Sequence, residues 1–229
     1  MTRRGNFKIV VLPGMDGTGE LLTRFLEHLS VCHEVQFIAF LPRASRYSEL
    51  LPHIVSQLPQ ERFAIVAESF SGPIAIDIAA TDARVAGLVL SSSFASHPWP
   101  SALSALVRFL DLAWVPNAII VAAILGSHGT PDLKARLLRV AKSIPRDVLR
   151  SRTTEVLNID RRTRLREINC PLLCLHGRSD RLVGKTHINA ITVARPSCHV
   201  QWFDAPHMLL ETNPATAADA VSRFCRDLV

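Results

Sequence analysis

Three short segments of this 229-residue chain carry residue types that suit acyl transfer. In the first, Ser69 stands between a short apolar run, residues 63–67, and a helical pattern that begins near Gly72. A serine on a sharp turn between a buried strand and a helix projects its hydroxyl above the sheet. The N-terminus of the helix also favours the anion that forms during acyl transfer. Because Ala67 and Ser71 are small, as such a turn requires, we predict that Ser69 is a nucleophile.

Two loops near the C-terminus supply the acid and the base that a serine nucleophile needs. Asp180 follows one short apolar run, and His207 follows the next run along the chain. The carboxyl ends of parallel strands meet at one edge of a sheet, and this edge is where such proteins build their sites. We predict that His207 takes the proton of Ser69 and that Asp180 orients the ring. Asp204, three residues before the histidine, is the alternative acid.

A glycine-rich loop, residues 13–19, comes directly after the first apolar run. A loop in that place can turn a backbone N–H toward the nucleophile, where it would form an oxyanion hole with the N–H of Phe70. Two of its glycines have the spacing of a phosphate-binding loop, but Glu20 stands where that motif needs lysine. The glycines do not match a dinucleotide fingerprint, and no metal-binding histidine spacing occurs. We therefore expect no cofactor and no metal.

Alternating strand and helix patterns would position these loops. Near-continuous apolar runs separated by helical patterns indicate an α/β fold, with a mostly parallel central sheet and helices on both faces. The predicted strands are 7–12, 35–39, 63–67, 85–90, 171–175 and 199–203, and the predicted helices are 20–29, 47–58, 72–80 and 214–228. The strand signal disappears between Ser93 and Asn169, which predicts a small helical cap, residues 94–169, inserted into a core of residues 1–93 and 170–229.

Together these motifs resemble those of the α/β-hydrolase superfamily, and the resemblance covers nearly all of the chain. The loop is similar to that of some esterase, thioesterase and acyltransferase-like members, including relatives of plant phytyl ester synthase. Most members have His-Gly where this chain has Pro13-Gly14. The resemblance implies that the backbone N–H of Met15 binds the oxyanion together with that of Phe70. Other small residues replace both glycines that usually flank the nucleophile at a distance of two residues.

These features predict a serine hydrolase that cleaves carboxylic esters or thioesters through an acyl-enzyme intermediate. In this prediction Ser69 attacks the carbonyl, His207 shuttles the proton and Asp180 supports the histidine. The apolar half of the cap, residues 103–125, is expected to cover an acyl-sized pocket. Two alternatives stay open: an acyltransferase that uses the same triad with an alcohol in place of water, and a non-catalytic protein that binds a small ligand on the same fold.

The net charge of +6 is concentrated in the predicted cap. Residues 131–167 hold eleven Lys or Arg against five Asp or Glu, and this excess accounts for the whole net charge. A solvated helical surface is one interpretation of this charge, and the other is recruitment of an anionic substrate, an acidic carrier or a membrane surface. Nucleic acid is disfavoured, because the segment has no aromatic residue on which a base could stack and no binding motif.

The remaining composition indicates a cytoplasmic protein. No uninterrupted apolar run reaches the roughly 18 residues of a membrane span. The apolar run after Arg3 and Arg4 is too short for a signal peptide. The chain has five cysteines, an odd number, and they are widely scattered in the sequence, so we expect no disulfide framework. This use of cysteine is typical of a reducing compartment.

Overall fold

Six parallel strands form the centre of the molecule in the computed structural model, which describes residues 8–97 and 115–228. The strands are β1 (Lys8–Leu12), β2 (Val35–Phe37), β3 (Phe63–Glu68), β4 (Val85–Ser91), β5 (Leu172–Gly177) and β6 (His199–Phe203). Their order in the sheet is β2-β1-β3-β4-β5-β6, and every neighbouring pair is parallel. The predicted α/β class with a parallel central sheet is therefore confirmed.

Helices cover both faces of this sheet. They are α1 (Thr23–Ser30), α2 (Tyr47–Val55), α3 (Gly72–Thr81), α4 (Asn117–Ile124), α5 (Pro131–Ser143), α6 (Arg146–Asn158), α7 (Arg162–Glu167), α8 (Lys185–Ala194), α9 (Leu209–Thr212) and α10 (Pro214–Arg226). Helices α1 and α10 bury their apolar side chains on one face, and α2, α3 and α8 bury theirs on the other. Successive strand residues point to opposite faces, so that Val10 and Val11 enter different cores. Burial on both sides explains the continuous apolar runs.

The structure differs from the predicted elements mainly at their ends. Strand β2 ends at Phe37 instead of residue 39. Helix α1 begins at Thr23 instead of residue 20, because residues 19–22 form a turn in which the N–H of Leu22 donates to the carbonyl of Gly19 at 2.9 Å. The short helices α8 and α9 were not predicted. Residue 7 of the first predicted strand lies outside the described residues.

Four helices, α4 to α7, occupy the described residues between β4 and β5. Helix α5 begins where the Thr130 side chain accepts a hydrogen bond from the N–H of Leu133 at 3.2 Å. Its apolar face packs against Leu21 and Met208, which belong to loops of the core. Residues 103–114 of the predicted apolar half of the cap lie outside the described residues. Within residues 8–97 and 115–228, no helix has both the length and the apolar character needed to cross a membrane.

Candidate active site

Ser69 stands on a strained turn between β3 and α3. Its φ angle is +48°, and this left-handed conformation costs a non-glycine residue about 1–2 kcal/mol. The Ser93 hydroxyl donates to the Ser69 carbonyl at 2.7 Å, and the buried Ser71 hydroxyl donates to the Glu68 carbonyl at 3.0 Å. A side chain on Gly72 would collide with the Ser93 hydroxyl, so glycine is required there. These contacts hold the turn that carries the Ser69 side chain, and Ser71 fits in place of glycine because its hydroxyl is satisfied.

Ser69, His207 and Asp180 form one continuous chain of hydrogen bonds. Ser69 Oγ lies 2.9 Å from His207 Nε2, and His207 Nδ1 lies 2.9 Å from Asp180 Oδ2. The other carboxylate oxygen of Asp180 accepts from the backbone N–H groups of Leu182 and Val183, each at 2.9 Å. Asp180 follows β5 and His207 follows β6, so neighbouring parallel strands deliver the acid and the base to one edge of the sheet.

The carboxylate of Asp180 is held in its charged form. Its side chain is 0% exposed, and this burial alone would raise its pKa. The charge and hydrogen bond of His207, together with the two backbone donors, outweigh burial and set the pKa of Asp180 below its ordinary value. A charged carboxylate beside Nδ1 favours the tautomer of the ring that carries its proton on Nδ1 and leaves Nε2 without one.

The alternative acid, Asp204, forms its ion pair with a different histidine, His128. Its side chain is 91% exposed, and its carboxylate lies 3.6 Å from Nε2 of His128. His176, by contrast, is only 1% exposed and packs edge-on against Trp202, with 5.2 Å between the ring centroids. The geometry therefore favours Asp180 as the acid and a structural role for His176.

The glycine-rich loop lies beside the serine turn because β1 and β3 are neighbours. Leu12 at the end of β1 pairs with Ala67 near the end of β3. Gly14 approaches so closely that a Cβ atom there would lie 3.1 Å from a carboxyl oxygen of Glu68. This register brings the segment that contains Met15 to the same edge of the sheet as the turn that contains Phe70.

Glu68, which sequence reasoning did not single out, lies buried under this loop. Its exposed fraction is 6%. Burial, and then the negative charges of Asp16 and Glu211, raise the pKa of Glu68 well above its ordinary value, although the N–H of Gly14 acts in the opposite direction. A raised pKa favours the neutral form of this carboxyl, which lies beside Gly14.

Arg152 reaches from α6 to the glycine-rich loop and was also missed by sequence reasoning. It is 2% exposed, and its Nη1 donates to the carbonyl of Met15 at 2.6 Å. Its Nε and Nη2 donate to the carbonyl of Ala44 at 3.2 and 2.7 Å. The guanidinium also lies 6.0 Å from the centroid of the Phe70 ring. This one cap side chain therefore contacts both residues predicted to form the oxyanion hole.

A second arginine joins the cap to the histidine side of the site. Glu211 lies on α9, directly after the loop of His207, and its side chain is 0% exposed. Arg136 of α5 donates to one of its carboxylate oxygens, and the backbone N–H of Arg24 donates to the other at 3.3 Å. Burial raises the pKa of Glu211, against the lowering effect of Arg136. The cap is thus joined to the core on both sides of the candidate site.

No protein-family model and no curated protein matches the sequence. Solved structures do match along nearly the whole chain. A hydrolase from Oleispira antarctica is 13% identical, covers 97% of this chain and 92% of its own, and has a TM-score of 0.85. An esterase from Exiguobacterium antarcticum is 10% identical with the same coverage and a TM-score of 0.85. A lipase-esterase related protein from Clostridium acetobutylicum is 13% identical, covers 96% and 95%, and has a TM-score of 0.81.

These neighbours and the six-stranded parallel sheet define the α/β-hydrolase fold. The fold that the sequence motifs implied is therefore confirmed. The same fold also appears in a bromoperoxidase from Bacillus anthracis, 15% identical with a TM-score of 0.84 and coverage of 96% and 92%. Because one fold carries several chemistries, the activity must be argued from the site itself.

Proposed function

We propose that this protein is a serine hydrolase that cleaves carboxylic esters or thioesters. The observation that carries the proposal is the chain of two 2.9 Å hydrogen bonds from Ser69 through His207 to Asp180. The left-handed backbone of Ser69 supports it, because strained residues of this kind are typical of functional sites. The esterases and hydrolases among the structural neighbours are consistent with this chemistry.

In the proposed reaction, Ser69 Oγ attacks the acyl carbon while His207 Nε2 takes its proton. The N–H groups of Met15 and Phe70 stabilise the negative charge on the acyl oxygen. The tetrahedral intermediate then collapses, and the imidazolium returns the proton to the departing alcohol or thiol. A water molecule repeats the sequence on the acyl-serine, with the same histidine as base, and releases the carboxylic acid.

The cap is proposed to support the oxyanion side of this reaction. Arg152 restrains Met15 by holding its carbonyl at 2.6 Å. A donor that is already fixed when charge develops costs no reorganisation in the transition state, which is the main advantage of such a site. Arg152 is thus a positioning residue in this proposal and does not touch the reacting atoms.

Turnover of a panel of p-nitrophenyl esters and acyl-CoA thioesters tests the proposal. We expect hydrolysis by the wild-type protein and loss of activity, by up to about 10⁶-fold, in Ser69→Ala. Ser56→Ala is the control and should keep full activity, because it removes an exposed hydroxyl that donates to the carbonyl of His53. Product analysis with added alcohol separates hydrolysis from acyl transfer. Absence of turnover with every ester and thioester would leave the ligand-binding alternative.

A further inference from the structure

Two cysteines that are far apart in the sequence meet at the opposite end of β5 from Asp180. Cys174 lies within β5, and Cys198 immediately precedes β6, the neighbouring strand. Their sulfur atoms are 3.4 Å apart, close enough for one thiol to bond to the other. Both are free thiols. The parallel pairing of β5 with β6 creates this contact, so that the scattered cysteines of the sequence include one adjacent pair.

The two thiols of this pair have different surroundings. Cys174 is 0% exposed, whereas Cys198 is half-buried. The hydrogen bond between the two sulfurs is the main cause that lowers the pKa of Cys198, while that bond and burial raise the pKa of Cys174 well above its ordinary value. The thiolate, which is the reactive form, is therefore favoured at the more accessible sulfur.

Arg195 belongs to the turn that leads into Cys198, in which the N–H of Cys198 donates to the carbonyl of Arg195 at 3.0 Å. Arg195 follows α8, and its positive charge also lowers the pKa of Cys198. One of its guanidinium nitrogens, Nη2, donates to the carbonyl of Cys170 at 3.3 Å. Its Nε is buried and has no hydrogen-bond partner among the described residues. A buried guanidinium N–H without an acceptor is costly.

We propose that Cys198 and Cys174 form a peroxide-reactive dithiol site, in which Cys198 is the attacking thiol and Cys174 the resolving thiol. The proposal is carried by the 3.4 Å separation of the sulfurs and by the deeper burial of Cys174 than of Cys198. The turn that joins Arg195 to Cys198 supports it. This site is separate from the proposed hydrolase chemistry and does not depend on it. Its co-reactant is a hydroperoxide.

The proposed steps balance in atoms and electrons. The Cys198 thiolate attacks one oxygen of the hydroperoxide, the O–O bond breaks, and the product is a sulfenic acid with water or an alcohol as leaving group. The Cys174 thiol then attacks that sulfur, the S–O bond breaks, and the sulfenic oxygen leaves as water with the thiol proton. Two thiols are oxidised to one disulfide and one peroxide is reduced. An added dithiol reverses the oxidation by exchange.

Mass spectrometry of the peroxide-treated protein tests the proposal. Fully reduced protein is treated with hydrogen peroxide, alkylated and digested without reductant. We expect a peptide pair linked through Cys174 and Cys198, which disappears after dithiothreitol. In Cys174→Ala, the sulfenic acid has no resolving thiol, so dimedone should label Cys198. In Cys198→Ser, no linked pair should form.

The other cysteines provide internal references for this experiment. Cys32 is exposed and stands alone, and burial raises the pKa of Cys225 to about 12. We expect Cys198 to be oxidised before Cys32, and Cys225 to remain reduced. Arg195→Gln should slow the oxidation of Cys198 several-fold, with thermal unfolding as the check on its fold. The proposal is wrong if peroxide oxidises Cys32 while Cys174 and Cys198 stay reduced and unlinked. Ester turnover is not a readout, so this result and the proposed hydrolase function can fail separately.

Discussion

The acid–base side of the candidate site and its oxyanion side are built in different ways. On the acid–base side, Ser69, Asp180 and His207 each stand just after the end of a strand and meet through their own side chains. On the oxyanion side, the proposed donors are backbone N–H groups. The side chain of Arg152, which follows Met15 by 137 residues in the sequence, restrains Met15. The arrangement of the acid–base side depends on three local turns joined by the sheet. The arrangement of the oxyanion side depends on how the cap packs against the core.

This difference predicts different responses to substitution. A change on the acid–base side removes a chemical group while the core remains packed, so activity should fall far more than stability. A change on the oxyanion side disturbs a buried contact between cap and core, so activity and stability should change together. The four predictions below test this contrast.

The largest of these effects is expected at the acid. Asp180→Asn should lower kcat by about 10³–10⁴-fold, because an amide at this position favours the wrong tautomer of His207. Asp204→Asn is the matched control and should have little effect, since that carboxylate is 91% exposed and faces His128. Steady-state kinetics of both variants decides between the two acids. A larger loss in Asp204→Asn would mean that the assignment of Asp180 is wrong.

A smaller loss is expected at the cap arginine. Arg152→Gln should lower kcat by about 10²-fold, since a small misplacement of a donor has effects of this size. It should also lower the free energy of unfolding by about 1–3 kcal/mol, because buried carbonyls lose their donors. Arg162→Gln, which removes an exposed ion pair with Asp160, is the control and should cost at most about 1 kcal/mol. If the Arg152→Gln variant is less stable but fully active, Arg152 contributes to packing and does not position Met15.

The buried acid under the loop predicts a dependence of stability on pH. The pKa of Glu68 is raised in the folded protein. Its contribution to the free energy of unfolding is therefore fully present below the pKa of Glu68 in the unfolded chain, which is about 4.5. That contribution is lost as the pH rises toward the folded value, by at most about 1.4 kcal/mol per pH unit. Glu68→Gln keeps the shape of the neutral acid, so it should unfold at a higher temperature than the wild type at pH 8.

At pH 4 the two proteins should unfold at similar temperatures, because Glu68 is then protonated in both the folded and unfolded states. Thermal unfolding at the two pH values measures the difference. A variant that is less stable than the wild type at pH 8 would show that Glu68 acts there as a charged group.

The smallest effect is expected from the basic charge of the cap. Arg139, Arg161 and Arg164 pair with acids of the core, Glu20 and Asp77, which neutralise part of that charge. Raising the salt from about 0.01 to 0.1 M shortens the Debye length from about 30 to 10 Å. We expect kcat/KM to change little over this range, and by nearly the same factor, for a neutral ester and an acyl-CoA thioester. A steeper decline for the thioester would support recruitment of an anionic substrate or acidic carrier.

How much of the fold and of the candidate site can be predicted from the sequence depends on how far apart in the sequence the interacting residues lie. The strands and the turn of Ser69 follow from patterns of a few residues, and the paired apolar runs place Asp180 and His207 at one edge. The contacts of Arg152 and the pairing of Cys174 with Cys198 join distant segments and leave no local pattern. Glu68 was also missed, because its unusual surroundings come from the loop of Gly14 and from Glu211, which only the folded chain brings together.

Active-site labelling tests the central claim of this account most directly. Incubation with a fluorophosphonate, followed by digestion and mass spectrometry, should place a single label on Ser69. The label should be absent from Ser69→Ala and present in Ser92→Ala, since Ser92 is buried although its φ is also positive. Labelling of Ser71 or Ser92 in place of Ser69 would contradict the account.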